Sequence, residues 1–330
     1  MNLCLNTDSL ADLNLEDALD LAAGLGIQAV EIAAGGQSSA PHMRIGDLRE
    51  SATARTAFLN KLTSRGLRLA AINCSAWPMH PLHGAEHVEL IRTVIQLASE
   101  LEVGKIVTMS GCPGDSPQSR AINWIWFPWP PEMLDIREQQ WDLTCDTWQD
   151  IAEYAVTEGV ERIALELHPL QMVYNVPTLM RLRSAVGPTI GANIDPSHLF
   201  WQQIDPVKVA NALGPAIHHV HLKDTELFAK QLALNGVLDP RPWDNAAERS
   251  WIFRTVGQGH PATFWKSFLD ALTDAGYADV VSIENEDPLL PGEAGVREAV
   301  RFLTSLTGDD ARAQNVSAPG HRRTGNAYNT

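Results

Sequence analysis

Short aliphatic runs and amphipathic stretches alternate along nearly the whole chain, and few architectures tolerate that rhythm eight times over. Strand-like runs occupy 3–7, 29–32, 67–74, 106–109, 163–167, 190–194, 217–222 and 280–284. Helical periodicity fills the intervals. One helix runs through Leu15, Leu19 and Ala22 to the glycines at 24–26, and a second runs through Phe58 and Leu62 to Gly66. The clearest carries Val88, Ile91, Val94, Ile95, Ala98 and Leu101 on one face and ends before Gly104. Further helices are expected over 137–159, 176–186, 206–213, 262–275 and 293–306. Eight strands alternating with eight helices predict an α/β chain closed as a (β/α)8 barrel, the TIM-barrel architecture. A doubly wound open sheet is the competing arrangement, but no G-x-G-x-x-G follows the first strand.

Two segments break the rhythm, 111–136 after strand four and 225–261 after strand seven. Both follow strands, so both are expected to extend the catalytic face. The domain is read as one barrel over 1–308 with these two insertions, and 309–330 as a disordered tail, being polar and without periodicity. An apolar fraction of 45% with 20% charged residues is enough for a large core. The balance of 25 Lys and Arg against 40 Asp and Glu, net −15, disfavours a phosphate backbone as partner. Cys4, Cys74, Cys112 and Cys145 are scattered without metal-finger spacing, which suits reduced thiols. With neither a leader-like start nor a span-length apolar run, the expectation is a soluble, cytoplasmic protein without a membrane partner.

The chemistry concentrates at four strand ends. Glu166 follows Leu165, Asp195 closes Asn193-Ile194-Asp195, His221 lies in His219-Val220-His221, and Glu284 follows Ser282-Ile283. Alone, each has an ordinary explanation: an ion pair, a turn before Pro196, a satisfied core imidazole. Together they occupy the same relative place on strands five to eight, and a barrel brings those places to one rim. Three carboxylates and one imidazole suit a hard divalent cation. His168 faces the same way as Glu166 if the strand continues, because side chains alternate. His198 trails Asp195 by three residues. Lys223 either holds a substrate oxygen or neutralises Asp224, the ion pair being slightly favoured.

The order Glu, Asp-x-x-His, His-x-Lys-Asp, Glu resembles the xylose-isomerase-like barrel superfamily of sugar-phosphate isomerases and epimerases, over residues 1–308. The run 190–202 and the run 233–239 match one branch of it closely. The resemblance implies one divalent metal, Mn²⁺ first, with Mg²⁺ or Co²⁺ as alternatives, held by Glu166, Asp195, His221 and Glu284. It implies that Glu166 and Glu284 exchange protons with a sugar and that His198 contacts substrate. Metal polarisation of a ketone acidifies the adjacent C–H, and a positioned base removes the proton. The proton's fate then decides among isomerisation, epimerisation and elimination.

Two departures sharpen the expectation. Leu227 stands near the place where related epimerases carry a substrate-binding Arg, and 123–131 is an aromatic, proline-rich run containing Trp124, Trp126, Phe127 and Trp129. Both features look similar to the α-subunit of bacterial C-glycoside deglycosidases. That likeness implies a lyase that cleaves a 3-oxo-C-glycoside by β-elimination, with a small β-subunit completing a hetero-oligomer. Under that reading Glu166, His168, His198 and Glu284 are catalytic, while Trp124, Trp126 and Lys223 bind substrate. The alternatives are a ketose 3-epimerase or aldose–ketose isomerase, an abasic-site endonuclease disfavoured by the acidic balance, and a noncatalytic carbohydrate-binding subunit.

Overall fold

The computed structural model describes residues 1–306, so the tail assigned above to 309–330 lies outside the described residues. Among the described residues ten strands form: β1 Leu3–Asn6, β2 Ala29–Gly36, β3 Arg68–Ser75, β4 Lys105–Thr108, β5 Arg162–Glu166, β6 Ile190–Ile194, β7 Ile217–Leu222, β8 Asp224–Leu227, β9 Trp251–Arg254 and β10 Val281–Ile283. Eight of them close a barrel in the order β1-β10-β7-β6-β5-β4-β3-β2, with every pairing parallel. The remaining two, β8 and β9, pair antiparallel as a separate ribbon. The barrel follows from the period of two in its strands. Outward positions such as Val30, Ile32, Ile72, Ile163, Leu165, Ile194, Val220 and Ile283 join one large apolar cluster with the helices. Trp148, Trp265 and Phe268 are fully buried in it. Burying a side chain of that kind contributes roughly 2–3 kcal/mol.

The opposite faces of the same strands meet inside. Near the floor they are small or apolar, in the clusters Cys4, Ala29, Ala70, Val280 and Ala71, Val107, Ala164. The buried Lys105 ammonium closes this end, 2.9 Å from Asp279 Oδ2. Above the floor the interior turns polar: Asn6, Glu31, Asn73, Glu166, Asn193, His219, His221 and Ser282 are all buried. Buried polar groups need partners, and these find them in one another across the barrel.

Local signals place the helices. Asn14 caps Leu15–Gly24 by accepting from Asp17 N, and Asn175 with Thr178 forms a capping box before Val176–Val186. Two expectations need correction. The helix expected over 137–159 begins earlier, at Glu132, and runs to Thr157, which shortens the irregular part of the first insertion. The second insertion is no simple loop, because it contains the β8–β9 ribbon and the helix Ala229–Asn235. Its short strands are spread over 31 residues, so no local turn signal joined them.

That ribbon is bolted at its base. Asp224 is fully buried and accepts from Gly257 N at 3.0 Å, Gly259 N at 2.9 Å and His260 N at 2.9 Å, with the His260 ring at 2.6 Å. A Cβ at Gly259 would lie 2.2 Å from the Thr225 carbonyl oxygen, so only glycine admits this close approach. The expected Lys223–Asp224 ion pair therefore does not form. Asp224 is committed to the turn at 257–260, while Lys223 points elsewhere.

Candidate metal centre and its pocket

The four strand ends converge. Ligand atoms of Glu166, Asp195, His221 and Glu284 lie within 4.8 Å of one another. Glu166 ends β5, Asp195 and Glu284 directly follow β6 and β10, and His221 sits one residue from the end of β7. His221 Nδ1 lies 3.1 Å from Glu284 Oε2 and 3.6 Å from Glu166 Oε2. Asn193 Nδ2 donates to Glu166 Oε2 at 3.3 Å and lies 3.1 Å from His221 Nδ1. Asn6 Nδ2 donates to Glu284 Oε1 at 3.0 Å. Asp195 also caps the short helix Pro196–Phe200, accepting from Ser197 N at 2.9 Å with Oδ1, while its buried Oδ2 accepts no hydrogen bond. A fully buried carboxylate oxygen needs a facing charge, and here the Lys223 ammonium stands 3.1 Å away. The donor set, three carboxylates and one imidazole, fits a divalent cation.

One cation is already supplied by the chain. Lys223 is buried, with Nζ 2.7 Å from Glu284 Oε2, 2.9 Å from Glu286 Oε2 and 3.1 Å from Asp195 Oδ2. Burial alone would depress the Lys223 pKa, but Asp195, Glu284 and Glu286 outweigh it and raise it well above the usual lysine value. Burial would likewise raise Glu284, yet Lys223 and His221 hold that carboxyl below its ordinary range. Asp195 goes the other way, its pKa raised chiefly by burial.

The two extra histidines join this group. His198 Nε2 lies 3.0 Å from Glu166 Oε1 and 3.4 Å from Asp195 Oδ2. The His168 and His198 rings sit 4.0 Å apart, and the His168 Nδ1 side is taken by the Pro169 carbonyl. Burial pushes His168 down to about 3 and His198 to about 4, so both imidazoles are neutral near pH 7.

A cavity of about 490 Å³ opens over the group and is lined by Glu166, His168, His198, Lys223 and Glu284. Its aromatic wall is not the one expected. Trp77, Trp243 and Phe253 line it. Phe253 lies edge-on to the His198 ring at 5.3 Å, stacks with Trp243 at 5.2 Å, and has Lys223 Nζ 4.8 Å from its centroid. Trp124 instead packs edge-on against Tyr174 at 5.3 Å, and Trp126 contacts Phe127 at the surface with 58% of its area exposed. Neither lines the cavity. Aromatic density marked a loop but not its direction. The ribbon brings Phe253 to the mouth because β9 pairs with β8, which starts two residues beyond the end of β7.

The described residues also include partners that the strand-end pattern does not single out: Asn6, Asn193, Glu286 and, on the innermost layer, Glu31 and His219. Glu31 had a visible signal. It is a lone acid inside the aliphatic run Ala29-Val30-Glu31-Ile32, where a charge must point inward and find a partner.

A family model described as xylose isomerase-like TIM barrel matches residues 19–306. A Bacillus subtilis (strain 168) relative, the uncharacterized protein YfiH, is 41% identical over 307 residues, 92% of this chain and 98% of its own. Among solved structures, the probable 3-DHS dehydratase AsbF from Bacillus anthracis superposes with a TM-score of 0.65 at 18% identity, covering 92% of this chain and 99% of that one. The IOLI protein with a bound zinc atom gives 0.63 at 19% identity, covering 96% and 100%. An L-ribulose 3-epimerase gives 0.60 at 17%, covering 98% and 100%. At such identities the structural likeness speaks for the fold. Among the described residues, no helix is long and apolar enough to cross a membrane.

Proposed function

The chain belongs to the xylose isomerase-like TIM barrel family, and from that premise we propose that it is a divalent-metal-dependent enzyme moving a proton beside the carbonyl of an uncharged keto-sugar. The observation that carries this reading is the meeting of Glu166, Asp195, His221 and Glu284 at the floor of an open cavity. A cation held by these four would polarise a carbonyl and acidify the neighbouring C–H. The chain's own groups then divide the work. Glu284 is tied by Asn6 on one oxygen and Lys223 on the other, which suits a fixed, ionised ligand. Glu166 faces neutral His198 at 3.0 Å, and that pair takes the proton from carbon and passes it on. Asn6, Asn73, Ser75 and Gln37 offer the cavity hydroxyl-binding groups, and Trp77 and Trp243 offer apolar surface for a sugar face or planar aglycone.

Charge argues for a substrate without phosphate. Among the described residues Lys223 is the one Lys or Arg lining the cavity, and it is engaged by three carboxylates. Arg254 is held by Glu226 and Asp287, and Arg249 lies over Trp243 at 3.7 Å. The finer reading is elimination from a 3-oxo-glycoside, in which proton loss at C2 expels the C1 substituent. It is favoured by the unequal carboxylates, since one base with a neighbouring imidazole suits removal and expulsion better than delivery to two faces. Epimerisation of a free ketose is the second reading, supported by the fold relatives named as epimerases.

The test is incubation of Mn²⁺-loaded protein in D₂O with a 3-oxo-C-glycoside, a 3-oxo-O-glycoside and free ketoses, before and after exhaustive chelation. Aglycone release with chelator-sensitive deuterium uptake supports elimination, and C3 inversion of a ketose supports epimerisation. Turnover unchanged by chelation would overturn the metal reading.

A further inference from the structure

Beneath the four candidate ligands lies a second, sealed layer of charge. Glu31 is fully buried from solvent inside the barrel, as are His219, His221 and Ser282. Its carboxylate accepts from His221 Nε2 at 3.0 and 3.1 Å, from His219 Nε2 at 2.8 Å, from Ser282 Oγ at 2.8 Å and from Asn73 Nδ2 at 2.8 Å. Four donors saturate both oxygens, so Glu31, His219 and His221 are a hydrogen-bonded network and not a second cation site, although their ligand atoms also lie close together. Neither Glu31 nor His219 lines the cavity.

This network decides which edge of His221 meets the pocket. With Nε2–H donated downward to Glu31, Nδ1 is the nitrogen turned toward Glu284 and Glu166. We infer that Glu31 is a positioning residue of the metal centre: it holds the His221 ring so that Nδ1 is the ligating atom, and its negative charge strengthens that nitrogen as a donor. Asn73 and Ser282 keep the Glu31 carboxylate from turning, and His219 holds Oε2 from the side. A misplaced His221 would present either the wrong nitrogen or a tilted ring, and the set of four would lose its only imidazole. The inference rests on the metal reading of the four-residue centre.

The experiment compares Mn²⁺, Co²⁺ and Zn²⁺ affinities of the full chain by competition with a coloured chelator, for the parent, Glu31→Gln and Glu284→Gln, and records the visible spectrum of bound Co²⁺. Glu31→Gln is expected to weaken binding about 10–100-fold and to alter the Co²⁺ bands while keeping the ion. Asp279→Asn, which disturbs the Lys105 and Arg68 pairs at the barrel floor and is not a hydrogen-bond partner of Glu31 or His221, is expected to stay within about threefold of the parent, so a general loss of stability is told apart from a loss of positioning. If Glu31→Gln does not fold, Glu31→Asp keeps the charge, shortens the reach to His221 and is read the same way. Affinity and spectrum unchanged in the Glu31 variant overturn the inference while leaving the metal reading intact. A parent that binds none of the three ions overturns both.

Discussion

The two insertions, 111–136 and 225–261, both follow barrel strands, yet only the second contributes aromatic rings to the cavity. The first, after β4, packs its four aromatic residues more densely along the sequence, but Trp124 turns onto Tyr174 and Trp126, Phe127 and Trp129 are more than half exposed. The second is anchored where it starts, by Asp224 just beyond His221 and Lys223, so its return strand β9 is laid across the mouth and Phe253 meets His198. Proximity to the chemistry is thus set by backbone anchoring at the strand end, not by the composition of the loop that follows.

This contrast has meaning only if the centre beneath the ribbon is the reactive one. Glu284→Gln removes a charge from the middle of that centre and is expected to lower kcat by about 10³-fold, measured with saturating substrate and added metal. Near-parental turnover would leave the ribbon walling an idle cavity. Trp243→Ala should reduce kcat/KM about 3–10-fold, mostly through KM, because an aromatic contact of this sort contributes on the order of 0.5–1.5 kcal/mol. The double substitution Trp126→Ala and Trp129→Ala is the matching control in the other insertion. Its kcat/KM should stay within about twofold of the parent, and a tenfold loss would mean that the first insertion reaches the substrate after all.

The smallest effect on turnover is expected at the barrel floor, far from both insertions. Burial would raise the Asp279 pKa, but Lys105, with help from Arg68, outweighs it and lowers the carboxyl below its ordinary range. A depressed folded-state value contributes stability that is present above the unfolded carboxylate pKa and is lost as pH falls through that region toward the folded value. Asp279→Asn should therefore cost about 3 kcal/mol at neutral pH by stranding the Lys105 charge, with the deficit narrowing in acid. Urea midpoints at several pH values check this, alongside unchanged kcat.

The barrel was readable because its signal repeats: outward Ile, Val and Leu alternate with inward residues on every strand, and helix faces supply the intervals. The four candidate ligands were readable for the same reason, each standing where an aliphatic run ends. What escaped was whatever depends on through-space pairing. The strands Asp224–Leu227 and Trp251–Arg254 find each other only because Asp224 pulls the turn at 257–260 back onto the barrel. Glu31 lies 190 residues from His221, and nothing local announces their contact. The preference for Lys223 pairing with Asp224 failed on direction, since adjacent strand residues face opposite ways.

The clasp at Asp224 also carries a consequence for how such a protein diversifies. Both ends of the segment between it and the turn at 257–260 are pinned by one buried carboxylate, while much of the stretch from 229 to 248 lies at the surface. That makes the segment an exchangeable cassette: its interior can be rewritten to admit a different molecule without disturbing the rim that carries Glu166, Asp195, His221 and Glu284. Selection, or a designer, can then retune what enters while the reactive machinery stays the same.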